Sequence, residues 1–334
     1  MKKRYYIPCL LGALAAASSV LTASGCTPKP APYEYEAPED SLYAEFAKDT
    51  VYYSCAPVPE SVDFCGERID LTRFDRRERM DRELISFTYT HNNSLLMLKR
   101  ANRYFPVVEP ILKEMGIPDD FKYLMAIESS VNTQARSGAG AAGLWQFMPT
   151  TGKEYGLEVN DMVDERYHVE KSTRAACKYL RHAYAKYKDW VAVAASYNAG
   201  QARIASQMDR QGTPQTLDLL LNEETSRYVY RIFAAKILFT HPTAFGYYLR
   251  PSDLYPQIPC KEVTVTTTIT DLARFAQGQG ITQALLRMFN PWLRGNQLPN
   301  RSGRTYVLQI PLKEGLYIKP ADIKVHDPRW VVEE

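Results

Sequence analysis

Glu128 is the residue in this sequence best placed to move a proton. Ser129 follows it, and nine residues on begins the run Ser137-Gly138-Ala139-Gly140-Ala141-Ala142-Gly143-Leu144-Trp145-Gln146-Phe147-Met148-Pro149. The segment before it, 117–127, reads as a helix. Ile117, Phe121, Leu124, Met125 and Glu128 fall at i, i+4, i+7, i+8 and i+11 and so share one face. Glu128 ends that apolar stripe where Asn132 and Gly138 mark the helix stop. An ionised carboxylate is costly against apolar walls, and the negative end of the helix dipole disfavours it further. Both effects raise the pKa, toward a carboxyl that keeps its proton near neutrality. That is the condition for a general acid. Taken alone, Glu128 could equally be a structural carboxylate paired with a nearby arginine such as Arg136.

The elements around it are mostly helical. A charged amphipathic helix is expected over 75–90. A second covers 93–115, with Leu95, Leu96, Leu98, Ala101, Tyr104 and Phe105 on its apolar side. Pro106 and Pro110 should divide it into two shorter helices. Gly116 and Pro118 give a C-cap and a fresh start. Residues 138–143 read as loop, with a helix opening near Pro149. Further helices are expected over 169–188, over 190–199 (ended by Gly200) and over 224–240 (ended by His241-Pro242). After Pro251 the texture changes: a β-branched strand over 263–269, short helices over 271–277 and 282–289, and a closing strand over 306–311.

The chain has 334 residues, 45% apolar and 24% charged, with a formal charge of +3. These values are ordinary for a globular protein, and no basic cluster interleaved with aromatics points to nucleic acid. Tyrosine is abundant, 23 against 4 tryptophans, which suits a sugar-lined groove without requiring one. The five histidines lack metal-ligand spacing, and neither a phosphate loop nor Ser-His-Asp logic is present, so no metal and no cofactor are expected.

Lys2, Lys3 and Arg4 followed by apolar 7–20 read as an export signal. Leu21-Thr22-Ala23-Ser24-Gly25-Cys26 reads as a lipoprotein cleavage box, making Cys26 an acylated N-terminus and the membrane a partner. A plain signal peptide is the alternative. Thr27 is not the aspartate that would suggest inner-membrane retention, so an outer-membrane lipoprotein facing the periplasm is expected. Pro-rich 26–65 then reads as a tether. Cys55, Cys65, Cys177 and Cys260 allow three disulfide pairings in an exported chain. Cys55 with Cys65 would close a short loop, and Cys177 with Cys260 would tie the tail to the core. A buried free thiol is the alternative for Cys177.

The motifs resemble the catalytic core of the soluble-lytic-transglycosylase (goose-lysozyme-like) family, in its membrane-bound D type. Glu128-Ser129-x-x-Asn132 and the Ser137–Thr151 run carry the likeness, with Ser196-Tyr197-Asn198-Ala199-Gly200 and Glu224-Thr225-Ser226-Arg227-Tyr228-Val229 in the family's order. The sequence departs at Val131, where an aromatic is usual, at Gly138 for proline and at Ser196 for alanine. The resemblance implies a mainly α fold: a lysozyme-like domain over 66–250, after a signal peptide (1–25) and the tether. A small α+β region, 251–334, would follow. Its βααβ order, with Asn290-Pro291-x-Leu293, resembles a degenerate LysM glycan-binding module; a plain extension packed on the core is the alternative.

The implied substrate is peptidoglycan glycan strands. Protonated Glu128 would attack the N-acetylmuramic acid to N-acetylglucosamine bond as acid, then act as base toward the muramic C6 hydroxyl, leaving a 1,6-anhydro end. Ser137, Gln146, Tyr197, Asn198 and Tyr228 would bind substrate or support the acid. Trp145 and Met148 read as core or cleft wall, and Glu224 as a first-turn residue. A water-using muramidase on the same fold and a non-catalytic cell-wall binding protein are the alternatives.

Overall fold

The computed structural model describes residues 55–332. The signal peptide, Cys26 and most of the tether lie outside that range. The fold is mainly helical, as the sequence indicates, with two small antiparallel sheets, of which the sequence reading expected only the C-terminal one.

The first sheet is a hairpin, β1 (Ser61–Phe64) with β2 (Glu67–Asp70), in register Val62↔Ile69. Its turn is Cys65-Gly66, both with positive φ (57° and 86°), as the tight turns that follow strand twist require. Val62 and Phe64 are buried in the main core. The end of the expected tether is therefore part of the folded body. The Cys65 N–H donates to Asp120 Oδ2 at 2.6 Å, and Lys236 bridges Asp63 and Asp120.

Helices α1 (Phe74–Tyr89), α2 (His91–Glu114) and α3 (Phe121–Ser129) follow. The expected break in α2 does not occur: Pro106 and Pro110 both lie inside one continuous helix. The two prolines sit on its less buried side, while Met97, Leu98, Ala101, Phe105, Val108 and Leu112 are buried on the other. Tertiary burial outweighs the lost backbone bonds. Short α4 (Pro149–Glu154) opens with proline at its first position. Then come α5 (Val169–Tyr187), α6 (Trp190–Ala199), α7 (Gln201–Gln211) and α8 (Glu223–Thr240). Helix α7, absent from the sequence reading, starts directly after Gly200. α3 and α6 are apolar nearly all round, and α8 inserts Tyr228, Ile232, Phe233 and Ala235 into the same core.

The C-terminal region forms β3 (Cys260–Val265), α9 (Leu272–Gly278), α10 (Gln283–Phe289) and β4 (Tyr306–Pro311), with β3 and β4 paired antiparallel. Its core of Leu272, Ala276, Leu286, Trp292, Leu298 and Leu308 also contains Ala142, Val163 and Tyr167 from the preceding domain. After β4 the chain returns to the helical body. Trp330 is 2% exposed there and donates from Nε1 to the Phe239 carbonyl at 2.8 Å.

The four described cysteines are all free thiols, so neither disulfide pairing considered above is formed. Cys65 is engaged in the hairpin turn, and Cys177 is fully buried on α5, where burial pushes its thiol up to about 12.

Candidate active site

Glu128 lies in the last turn of α3, a helix whose other side chains are largely buried. The helix stops at two consecutive left-handed residues, Ser130 (φ 51°) and Val131 (φ 54°). A β-branched residue in that region is strained and persists only when its surroundings hold it. Val131 is fully buried, and Arg100 from α2 donates to the Ser130 carbonyl at 3.1 Å.

The Glu128 carboxyl is half-buried, and among the described residues Tyr228 is its hydrogen-bond partner. The phenol of α8 donates to Oε1. Burial raises the acid to about 7. The Tyr228 bond and the nearby Arg231 charge pull it down, and Glu224 pushes it up, but burial dominates. With Oε1 occupied by Tyr228, Oε2 is left to carry the proton. Among the described residues the Glu128 carboxyl is met by Tyr228 and not by an ion pair with Arg136.

Tyr228 thus joins the acid directly. Tyr197, on α6, feels the charge of Glu128 but donates its hydroxyl to the Trp145 carbonyl at 2.7 Å. Its role in this structure is to hold the glycine-rich loop. Asn198 faces α8 instead: its Oδ1 accepts from Thr225 at 2.9 Å and its amide reaches Glu224 at 3.4 Å. Glu224 is exposed in the first turn of α8. Ser137 is exposed, and its Oγ accepts the Ala141 N–H at 3.0 Å rather than meeting Glu128. Gln146 takes positive φ (47°) and donates its amide to the carbonyls of Ala135 (3.2 Å) and Gly143 (2.8 Å). That leaves its side-chain oxygen as an acceptor. Trp145 is fully buried and anchored to Thr173 Oγ1 at 2.9 Å, whereas Met148 is 43% exposed.

Sequence reasoning passed over the residue that organises this loop. Arg166, in the single turn 165–167, donates from Nη1 to the carbonyls of Gly140 (2.8 Å) and Phe147 (2.9 Å). Its other nitrogens grip Asp164 at 2.9 and 2.7 Å. Both residues are buried. Gly143 has φ +78°, and a Cβ there would stand 1.8 Å from the Arg166 carbonyl oxygen. Only glycine fits so close to that backbone. In the sequence, Asp164-Glu165-Arg166 looks like any solvated charged turn, and nothing local marks it as buried.

The same turn meets the C-terminal region. The Asp164 N–H donates to the Trp292 carbonyl at 2.9 Å, and Arg294 N–H to Met162 at 2.9 Å. Arg294 stacks 4.3 Å over the Tyr167 ring, and Glu158 accepts from Arg304 (2.7 Å) and Tyr306 (2.9 Å). A separate cavity of about 970 Å³ opens in this seam, lined by residues that include Arg103, His168 and Trp292 but not Glu128.

Comparison with known proteins matches both parts. Residues 108–219 match the transglycosylase SLT domain family, and residues 261–314 the soluble lytic transglycosylase C-terminal LysM-like domain. The chain is 29% identical over 268 residues to membrane-bound lytic murein transglycosylase D of Escherichia coli strain K12, covering 78% of this chain and 57% of that protein. It is 28% identical over 158 residues to membrane-bound lytic murein transglycosylase C of Haemophilus ducreyi, covering 43% and 41%. The chain thus spans 57% of the first of these curated relatives and 41% of the second. Among solved structures, the 70 kDa soluble lytic transglycosylase of Escherichia coli aligns at 19% identity and a TM-score of 0.38, covering 48% of this chain and 30% of that one.

Proposed function

We propose that this chain, with its SLT domain and LysM-like module, is a peptidoglycan lytic transglycosylase whose single acid-base residue is Glu128. The observation that carries the reading is a half-buried carboxyl, raised to about 7 by burial and held by the Tyr228 phenol. Such a group holds a useful share of its proton at neutral pH and can both give and take one.

In the proposed reaction Glu128 gives its proton to the glycosidic oxygen between N-acetylmuramic acid and N-acetylglucosamine. The C1–O bond breaks, and positive charge develops at the muramic C1. The N-acetyl group of that sugar helps hold the centre, and the Gln146 side-chain oxygen is available to accept from an acetamido N–H. Glu128, now ionised, removes the proton from the muramic C6 hydroxyl, whose oxygen closes onto C1. Two chain ends result, one of them a 1,6-anhydro sugar, and no water is consumed. Because the nucleophile is tethered to the reacting sugar, the entropic cost of capturing a free water is avoided. A hydrolase of the two-carboxylate kind needs a second acid about 5 Å or about 6.5–9.5 Å from the first. Glu224, the neighbour whose charge Glu128 feels, is instead exposed and tied to Asn198.

In the proposed layout the SLT domain acts at the periplasmic side of the outer membrane, held there by a lipid on Cys26. The division into a tether, a transglycosylase domain and a glycan-contacting C-terminal module belongs to the same reading.

Product analysis from purified sacculi tests it. Wild type should release anhydro-muramyl ends. Glu128→Gln should fold and lose about 10²- to 10⁴-fold in rate, the usual worth of a positioned proton donor. New reducing ends in place of anhydro ends would make the enzyme a muramidase. Binding to sacculi without release by wild type would make it a scaffold.

A further inference from the structure

One buried charge cluster takes no part in the chemistry just described. Glu83, on the face of α1 that packs against α8, is 1% exposed. Arg227 donates to it from Nε at 2.5 Å, and Arg231 from Nε at 3.4 Å. These arginines stand one residue before and three residues after Tyr228 on α8, so they flank the phenol that binds the acid. A carboxylate removed from water is costly unless charges of opposite sign surround it. Leucine at 83 would avoid that cost. The cluster is therefore a poor candidate for simple stabilisation.

We propose that Glu83 is a positioning residue for the acid: it clamps Arg227 and Arg231, fixes the setting of α8 that brings Tyr228 onto Glu128, and neutralises the guanidinium of Arg231 beside the cleft. The proposal rests on the reading of Glu128 as the acid. The groups that face Glu128 are Tyr228, Arg231 and Glu224 from α8 and Tyr197 from α6, with Arg100 of α2 at the Ser130 carbonyl. Of these, Arg231 is a full positive charge that favours the ionised acid. Arg82, next to Glu83 in sequence, is taken up by Glu223.

The test is the pH profile of kcat on soluble peptidoglycan fragments for wild type, Glu83→Gln, Arg231→Gln and the double variant. Activity falls at high pH as Glu128 loses its proton, so that limb reports the acid. Removing Glu83 leaves the Arg231 charge uncompensated. The limb should move to lower pH by about half to one unit, which means a roughly three- to tenfold loss at a fixed pH above it. The loss should be recovered on acidification, with KM little changed. Arg231→Gln should move the limb the other way, and the double variant should return toward wild type. A uniform loss at every pH in Glu83→Gln would reduce Glu83 to a structural residue. Should Glu83→Gln fail to fold, Arg231→Gln decides by itself, since an unmoved limb there overturns the proposal. With Glu128→Gln inactive, that result leaves the acid in place; turnover by Glu128→Gln overturns both.

Discussion

The two hydrophobic cores of this protein are closed in different ways. The helical core is built from residues of α1 to α3, α5 to α8 and the first hairpin, completed by Trp330 from the returning tail. The core of the C-terminal module is completed by another domain's residues. Its strands and short helices supply Val265, Leu272, Leu286, Leu298 and Leu308, but Ala142, Val163 and Tyr167 fill the remaining side. A βααβ unit of this size buries too little apolar surface to stand securely alone. The residues it takes belong to the glycine-rich loop and to the turn that supports it. The module is thus joined to the cleft mechanically as well as covalently. It differs in this from a binding domain on a linker, whose removal would weaken attachment and leave cleavage intact.

Two buried charge clusters repeat the contrast. Glu83 with Arg227 and Arg231 sets the helix that carries Tyr228. Asp164 with Arg166 sets the loop that carries Gln146, and its backbone also grips Trp292. One supports the acid, and the other supports the loop together with the module.

The largest expected effect comes from breaking the seam. Trp292 is 3% exposed and stacked between His168 and Tyr306. Trp292→Ala should cost about 3–5 kcal/mol, the usual price of emptying an aromatic site. Denaturant melts measure this. Turnover of soluble fragments too short to span both parts should fall with it. Full turnover on such fragments would show that the module and the loop are independent.

A smaller effect sharpens the acid side of the comparison. Burial raises the Glu128 carboxyl from its ordinary value of 4.5 to about 7 in the fold. The native state therefore holds the extra proton between those values, and its stability falls as pH rises from 4.5 through 7. Glu128→Gln removes the penalty of charging the site. The variant should match wild type near pH 4 and exceed it at pH 8 by about 2 kcal/mol, allowing for partial exposure. Thermal melts at the two pH values check this, and equal stability at both would mean that the site does not disfavour charge.

Much of the frame is legible in the sequence because its signals are local. The stripe from Ile117 to Glu128, the closing Gly200 and the βααβ order are each written within a few residues. The candidate site is legible only where a motif marks it. Glu128, Gln146, Tyr197 and Tyr228 could be named, but not which of them would touch. Tyr197 faces the loop backbone and Tyr228 the acid because α6 and α8 approach from different sides, which no spacing along one helix encodes. Pro106 and Pro110 misled for the same reason: their cost is local, whereas the burial that overrides it is tertiary. Arg166 and Glu83 were invisible, since a buried arginine and a solvated one look alike in a sequence. Helix α7 and the first hairpin lay in stretches whose polar or proline-rich surroundings suggested loop.

The measurement that bears most directly on the central claim is a carbon-13 NMR titration of the Glu128 side-chain carboxyl in the intact protein. A midpoint near 7, moving when Tyr228 is replaced by phenylalanine, is the result expected of an acid withdrawn from water and held by that phenol. A midpoint at or below the ordinary glutamate value of 4.5 would leave the group ionised at neutral pH and contradict the assignment.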